Sequence, residues 1–327
     1  MASDRVGRVK RAPPFFLSRM TNTMQLRLGT RASLLAQWQA NWVTAQLHQC
    51  GLEIELIQIT TRGDQQQATA GPMVGTGIFT KEIQRELLEG RIDLAVHSLK
   101  DLPTEIVPGL ILTAVPERAP VADVLLSDRF DSLDQLPLGA LVGTGSLRRR
   151  AQLLNHRHDL EMRDIRGNVD TRLRKLREGH YQAIILAQAG LDRLGLTKHI
   201  TQILPLELVL PAVGQGALGI EARSDDTATR DALACLDHPP THCAVKAERA
   251  MLAVLHGGCM APIAAWARFE SEQLILTGRV LNPAGTRKLE VTQSGLADDA
   301  ESLGRSVANV LLEQGAAELI AECRGEA

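Results

Sequence analysis

The sequence predicts an α/β protein made of two similar units and a smaller α+β domain. Three observations predict this fold class. Short apolar runs alternate with amphipathic segments between residues 25 and 223, as expected for strands joined by helices over a sheet. This pattern occurs twice, with a crossing segment at 115–121. After two adjacent prolines, Pro239 and Pro240, it changes to one helix, three strands and a closing helix.

The periodicity of the apolar residues gives the elements of the two α/β units. Because helical patterns separate most of the strands, we expect a largely parallel sheet covered by helices. Strands are predicted at 25–30, 53–61, 92–98, 109–116, 122–128, 140–146, 161–167 and 181–187, with a return strand in 210–223. Helices are predicted at 33–50, 80–90, 147–155, 169–179 and 189–195.

The third domain is predicted to follow a Pro-Pro linker at 236–243. Its elements are a helix at 244–255, three antiparallel strands and a closing helix at 299–322. The predicted boundaries are 25–116 with 217–235 for domain 1, 117–216 for domain 2 and 236–327 for domain 3. Residues 1–24 are set apart as an extension, in which the basic, Pro-Pro-containing sequence favours a disordered tail or an over-long start over a transit peptide.

Composition and charge limit the class of function. The chain has 327 residues, 23% of them charged, and a net charge of −2. A nucleic-acid-binding domain usually has a strong basic excess, so this class is disfavoured. No apolar run is long enough to cross a membrane. Widely spaced cysteines in odd number, without a CxxC pair, predict no disulfide framework and a cytoplasmic location; they are Cys50, Cys235, Cys243, Cys259 and Cys323.

Two polar segments follow strands of the first unit, where open α/β sheets form a ligand crevice. In "LGTRAS", Ser33 can cap the next helix, and Arg31 lies where an anion would bind. In "HSLKDLP", Ser98 and Lys100 suit an anion, and Asp101 supplies a carboxylate beside them. Taken alone, the first segment favours a helix cap over an anion site, and the second is also typical of an ordinary turn.

Two further segments follow strands of the second unit. In "GTGSLRRR", backbone N–H groups with Thr144 and Ser146 could bind a carboxylate or phosphate, and two arginines could add bidentate contacts. In "IRGNVDTRLRK", Arg166 ends a strand and Arg172 lies in the first turn of a helix, where a cation opposes the helix dipole unless an anion is bound. Together the four segments indicate a polycarboxylate or polyphosphate between the units. The Walker A pattern of nucleotide-binding proteins is missing, so a nucleotide is not indicated.

Six segments, in this order, resemble signatures of the porphobilinogen deaminase (hydroxymethylbilane synthase) family. They are "AVHSLKDLP", "GTGSLRRR", "RGNVDTRLRKL", "AIILAQAGLDRLG", "LPAVGQGALGIEAR" and "GGCMAPI", within a similarity that covers about residues 25–322. The resemblance implies two type II periplasmic-binding-protein-like domains with a crevice between them, and a small α+β C-terminal domain that carries the cofactor cysteine. It also implies a monomer, with no metal, nucleic acid or membrane as partner.

The resemblance implies a role for each candidate site residue. Cys259 would hold a dipyrromethane cofactor through a thioether, since a thiolate is a strong nucleophile towards an electrophilic pyrrole carbon. Asp101, with Lys100 and Arg31, would be catalytic. The other implied cofactor-binding residues are Ser98, Thr144, Ser146, Arg148, Arg149, Arg166 and Gly167, with Lys100 and Asp101 again. The implied substrate-binding residues are Arg31, Ser33, Arg149, Arg172, Arg193 and Gln215. The remaining four cysteines are expected to be small buried residues.

The implied reaction joins four porphobilinogen molecules head to tail on the dipyrromethane primer. Four ammonia molecules are lost, and hydrolysis releases hydroxymethylbilane for porphyrin (haem) biosynthesis. The alternative is an anion-binding solute receptor of the periplasmic-binding-protein type. Such a receptor would need neither Cys259 nor the third domain. Three positions depart from the family pattern, namely Pro72, Thr76 and Gly145.

Overall fold

The computed structural model describes residues 24–60, 80–105, 107–256 and 261–324. Its first sheet contains β1 (Gln25–Thr30), β2 (Glu53–Gln58), β3 (Leu94–Ser98), β4 (Leu110–Ala114) and β10 (Leu218–Arg223). Their order in the sheet is β2-β1-β3-β10-β4. Strand β1 is parallel to β2 and β3, whereas β10 is antiparallel to β3 and β4. The helices of this unit are α1 (Leu34–Gln49), α2 (Lys81–Leu88) and α6 (Thr227–Leu233).

The second sheet contains β5 (Asp123–Leu126), β6 (Leu141–Gly143), β7 (Glu161–Arg163), β8 (Ala183–Ala187) and β9 (Gln202–Ile203). Their order in the sheet is β7-β6-β8-β5-β9. Strand β6 is parallel to β7 and β8, and β5 is antiparallel to β8 and β9. The helices are α3 (Leu147–His156), α4 (Val169–Arg177) and α5 (Gln188–Arg193). The two sheets therefore share one strand order, in which the fourth strand runs against its neighbours.

The third unit is a three-stranded antiparallel sheet covered by helices. Its core holds apolar residues from both layers, such as Met251, Leu276 and Val307, each fully buried. The strands are β11 (Ile263–Glu270), β12 (Gln273–Leu281) and β13 (Lys288–Gly295). The helices are α7 (Pro239–Leu255), α8 (Ala300–Glu313) and α9 (Ala316–Arg324). The predicted fold class, two α/β units and an α+β unit, is confirmed.

Three details of the prediction are wrong. Both large sheets are mixed, because strands from distant parts of the chain enter them antiparallel, and periodicity carries no information on strand direction. Helix α7 begins at Pro239 inside the predicted linker, since proline suits the first turn of a helix. The closing helix is divided at Gly315, whose φ of +99° ends α8.

Cys50 and Cys235 form a disulfide, with their Cα atoms 6.7 Å apart. Both residues are exposed, so the expectation of small, buried, unpaired residues is wrong for them. The bond joins the end of α1 to the segment that precedes α7. Because 185 positions separate the two cysteines, the spacing of cysteines in the sequence could not predict this pairing. Cys243 is a free, half-buried thiol, and Cys323 is also half-buried.

Two chain segments cross between the first and second sheets, at 115–122 and 204–217. They touch where the Ala119 N–H donates to the Gly216 carbonyl at 3.2 Å. Gly216 has a φ of +86°, and a Cβ there would lie 2.4 Å from the Ala119 carbonyl oxygen, so only glycine fits this contact. Within the described ranges, no helix is both long and apolar enough to span a membrane.

Candidate active site

A cleft of about 300 Å³ opens between the first and second sheets. Its walls are the segments that follow β1, β3, β6, β7 and β8, together with Gly214, Gly216 and Ala217 of the second crossing segment. Polar side chains that the sequence places after five different strands therefore meet in one space, as expected for the carboxyl ends of strands in α/β sheets.

A single turn of 3₁₀ helix, Leu99–Asp101, places two charged residues in this cleft. Leu99 is 1% exposed, and its N–H donates to the Ala217 carbonyl at 3.0 Å. The N–H of the buried Leu102 closes the turn on the Leu99 carbonyl at 3.1 Å. Because both leucines are held in the core, Lys100 and Asp101 between them face the cleft.

The cleft shifts the pKa of Lys100. Burial lowers this pKa to about 8, while the Asp101 carboxylate acts in the opposite direction. The charge of Arg149 lowers it further. Lys100 is therefore a cation at neutral pH that loses its proton slightly above it. A cation and a carboxylate on adjacent residues can bind an anionic substrate and stabilise a positive charge on it.

The start of α1 forms the opposite side of the same corner. Ser33 is its N-cap, as predicted, and the Ser33 Oγ accepts a hydrogen bond from the Ala36 N–H at 3.4 Å. Further along α1, the buried Gln39 donates from Nε2 to the Ser98 Oγ at 2.7 Å. This bond occupies an acceptor position of Ser98 and leaves its hydroxyl proton available to the cleft. Arg31 also lines the cleft.

Arg148 and Arg149 share one buried carboxylate, that of Asp123. The Arg149 Nη2 lies 2.7 Å from Asp123 Oδ1, and the Arg148 Nη2 lies 2.7 Å from Asp123 Oδ2. Gln215 adds a third donor, with Nε2 at 2.9 Å from Asp123 Oδ1. Burial alone would raise the pKa of Asp123, but the two guanidinium groups hold it well below its ordinary value. Only Arg149 of the two arginines lines the cleft.

Thr144 and Ser146 stabilise the start of α3. The Ser146 Oγ accepts from the Arg149 N–H at 3.4 Å, and the Thr144 Oγ1 accepts from the Ser146 N–H at 3.2 Å. Thr144 is only 5% exposed. These hydroxyl groups therefore orient the helix that carries Arg149.

The first turn of α4 brings Arg172 into the cleft. The Arg172 Nε donates to the Gly167 carbonyl at 2.8 Å. Burial, together with the nearby charge of Arg149, lowers the pKa of Arg172 to about 10. Gly167 has a φ of +109°, and a Cβ there would lie 2.7 Å from Thr171, so the loop needs glycine. Arg166, by contrast, is exposed, with its Nε 3.2 Å from Asp164 Oδ2.

Arg193, at the end of α5, completes the cationic wall. Its Nη2 donates to the Gly216 carbonyl at 2.7 Å, and burial lowers its pKa to about 10. The lining of the cleft thus contains five cationic side chains from both units, namely Arg31, Lys100, Arg149, Arg172 and Arg193. The buried Asp123 offsets part of this charge. The arrangement suits a ligand with several carboxylates, and dipyrromethane, with its acetate and propionate groups, fits that donor set.

The structure brings most of the predicted site residues together. Those that line the cleft are Arg31, Ser33, Ser98, Lys100, Asp101, Arg149, Gly167, Arg172 and Arg193. Five others lie outside that lining, namely Thr144, Ser146, Arg148, Arg166 and Gln215. Cys259, Pro72 and Thr76 lie outside the described residues. In the described ranges, no three His, Cys, Asp or Glu side chains are grouped as metal ligands.

Sequence patterns did not identify two polar residues that contribute to this region. Asp123 starts an otherwise apolar strand, and an acidic residue in such a run is the signal for a buried ion pair. Gln39 lies on the face of α1 that is otherwise apolar, beside the buried Ala40 and Val43. Neither residue belongs to a motif, so only the fold shows what it contacts.

Comparison with known proteins gives two family matches along the chain. Residues 26–231 match the model described as "Porphobilinogen deaminase, dipyromethane cofactor binding domain", and residues 242–313 match "Porphobilinogen deaminase, C-terminal domain". A porphobilinogen deaminase of Geobacter sulfurreducens is 48% identical over 91% of this chain and 94% of its own length. One from Acidithiobacillus ferrooxidans is 50% identical over 91% and 98%.

Solved structures with a similar arrangement are more distant. A nutrient binding protein from Burkholderia cenocepacia bound to methionine has a TM-score of 0.42, with 14% sequence identity over 66% of this chain and 93% of that chain. The methionine binding protein MetQ has a TM-score of 0.41, with 15% identity over 64% and 85%.

Proposed function

Because the chain belongs to the porphobilinogen deaminase family, we propose that the cleft between its first two sheets is the site where porphobilinogen units are joined. The reaction of the family joins four porphobilinogen molecules on a dipyrromethane primer, with loss of four ammonia molecules and hydrolytic release of hydroxymethylbilane. The observation that carries the proposal is the meeting of Asp101 with five cationic side chains in one cleft.

Asp101 is the catalytic carboxylate in this proposal. Loss of ammonia leaves a positive charge on the pyrrole, and a carboxylate fixed nearby stabilises it. The same carboxylate accepts a proton when the pyrrole regains its aromatic character. Support comes from the rigid 3₁₀ turn, which holds Asp101 at the cleft between two buried leucines.

Lys100 and Arg31 assist from either side of Asp101. Lys100 carries its charge at neutral pH, so it can bind a carboxylate of the incoming substrate. Arg31 follows β1 and lines the same cleft, where it would hold a second carboxylate. Ser33, Arg172 and Arg193 would bind the side chains of units already joined.

Cys259 would hold the cofactor, and Ser98, Arg149 and Gly167 of the cleft lining would bind it. The bound dipyrromethane supplies a nucleophilic pyrrole carbon for the first coupling. Four residues outside the cleft lining would act on this site by fixing α3 and Asp123, namely Thr144, Ser146, Arg148 and Gln215. Arg166 would bind the cofactor from the exposed rim of the cleft. We propose a monomeric, cytoplasmic enzyme with domain boundaries at 116/117, 216/217 and 235/236.

The intact mass of the purified protein tests this proposal. The wild type should carry an adduct equal to two linked pyrrole units, and Cys259→Ala should lack it. Cys243→Ala is the matched control, because it also removes a thiol of the third unit and should keep the adduct. Discrete mass increments after addition of porphobilinogen should appear in the wild type and in the control alone.

An unmodified wild type that stays unmodified with porphobilinogen would overturn the assignment of a covalent primer. An adduct that survives in Cys259→Ala would instead move the attachment to another residue. In the first case an anion-binding role without chemistry would have to replace the enzyme.

A further inference from the structure

Trp38 bridges the two sheets at the edge of the cleft. It lies on α1 of the first unit, and the Arg193 Cζ lies 5.9 Å from the centroid of its ring. A cation within about 6 Å of an indole is attracted by the negative face of the ring. Trp38 is half-buried, and neither the sequence motifs nor the proposed chemistry gives it a role.

Arg193 is connected to three parts of the molecule at once. It ends α5 of the second unit, it contacts Trp38 of the first, and it donates to the Gly216 carbonyl at 2.7 Å. That carbonyl also accepts from the Ala119 N–H at 3.2 Å, which ties the two crossing segments together. A shift of one sheet against the other must therefore alter the surroundings of Arg193.

The charge of Arg193 is only partly compensated. Among the described residues, no carboxylate forms an ion pair with it, and burial lowers its pKa. A planar guanidinium can contact a ring and still present N–H groups to a carboxylate. The contact with Trp38 thus restrains the side chain without using up the donors that a ligand needs.

We propose that Trp38 is a positioning residue, which holds the Arg193 guanidinium on the cleft wall and keeps α1 and α5 together while a carboxylate binds. This inference rests on the proposed binding of substrate carboxylates by the cleft. The preformed position lowers the cost of ordering a long, flexible side chain when the substrate arrives. Apolar neighbours across the same gap, Leu34 and Leu194, complete the wall but offer no attraction to a cation.

Substitutions at Trp38 separate ring chemistry from mere packing. Trp38→Leu keeps an apolar side chain of smaller volume but removes the π system, so the KM for porphobilinogen should rise about 3- to 10-fold, with kcat changed less than about two-fold. Trp38→Phe keeps an aromatic face, so its KM should rise less than about three-fold. The melting temperatures of these two variants should be alike. A role in packing alone would also give alike melting temperatures, so the difference in KM between the two variants is the result that distinguishes the two roles.

Trp42 supplies the matched control. It lies one turn further along α1, and it packs against the apolar core of the first unit. Trp42→Leu should lower the melting temperature and leave KM unchanged. Arg193→Gln gives the partner measurement, and in that background Trp38→Leu should add no further increase in KM, because the cation it holds is already gone.

These measurements distinguish the positioning role of Trp38 from the carboxylate-binding role of Arg193. If Arg193→Gln raises KM and Trp38→Leu does not, the role of Trp38 is wrong and the carboxylate site stands. If Arg193→Gln has no effect, the carboxylate role of Arg193 fails, and Trp38 loses its function with it. An equal rise in KM in Trp38→Phe and Trp38→Leu would also overturn the coupling between Trp38 and Arg193. A double variant in which the two increases in KM multiply would overturn it as well.

Discussion

Glu248 of α7 binds Arg118 of the first crossing segment, with Oε1 and Nη1 2.7 Å apart and Glu248 fully buried. Its second oxygen accepts from the Gly214 N–H at 2.7 Å, in the other crossing segment. Oε1 also accepts from the Ala267 N–H of β11 at 2.8 Å. One carboxylate therefore joins both crossing segments to the third unit.

Glu248→Gln should strongly destabilise the protein. The change leaves the Arg118 charge buried without its partner, and breaking a buried ion pair in this way costs about 3–5 kcal/mol. Urea denaturation should show this loss in the free energy of unfolding. Glu301→Gln is the control, because its pair with Arg305 is at the surface and its loss should change stability little. Equal stability of the two variants would argue against the role of Glu248.

Asp101→Ala should keep the fold and lose turnover. Asp101 is exposed to the cleft, so its side chain contributes little to the core. Removal of a general acid or base costs about 10²- to 10⁴-fold in rate. Steady-state kinetics and a melting curve check the two parts. Glu105→Gln, four residues on and away from the cleft, should keep normal turnover; comparable loss in both variants would contradict the assignment.

The KM for porphobilinogen should rise as the pH increases through about 8. At that pH Lys100 loses its proton, because burial lowers its pKa to about 8, and the neutral amine binds carboxylates weakly. Lys100→Arg keeps its charge over this range, so its KM should stay flat where that of the wild type rises. Any titration of the substrate affects both enzymes equally, so the difference between their pH profiles reports on Lys100 alone. Identical pH profiles would exclude Lys100 as the titrating group.

Lys100→Met should raise the melting temperature near neutral pH. The pKa of Lys100 is lower in the folded protein than its ordinary value of 10.5, so between about pH 8 and that value the unfolded chain binds more protons. The wild type therefore gains stability with pH over this window. The advantage of the methionine variant should shrink as the pH rises from about 7 to about 10, and a constant difference would contradict the buried charge.

Reduction should destabilise the wild type through the Cys50–Cys235 bond. The bond links residues 185 positions apart, and loss of such a crosslink typically costs about 2–5 kcal/mol. The melting temperature of the wild type should fall with reductant, whereas the double variant Cys50→Ser/Cys235→Ser should not respond. Cys243→Ser should respond as the wild type does. If Cys50 and Cys235 are alkylated as free thiols in the unreduced, denatured protein, the pairing is absent.

The residues of single motifs could be read from the chain. Lys100 and Asp101 follow an apolar strand, and Ser33 precedes an amphipathic helix. Each of these patterns depends on neighbours a few residues away, where strand and helix periodicities act. Most of the candidate cleft residues therefore came from local sequence patterns, whereas Gly167 and Arg193 came from the family resemblance, and the structure brings nine candidates to one cavity.

The sequence by itself determined the types and approximate limits of most elements and the identity of the charged groups at strand ends. Only the tertiary structure decided which partner each of these charged groups contacts. Asp123 pairs with Arg148 and Arg149, and Trp38 meets Arg193, across separations that no local pattern spans. Strand direction, the Cys50–Cys235 bond and the contacts of Glu248 were decided in the same way. The physical reason is that apolar periodicity reports which face of an element is buried, whereas partners in a buried polar network are set by how distant elements pack.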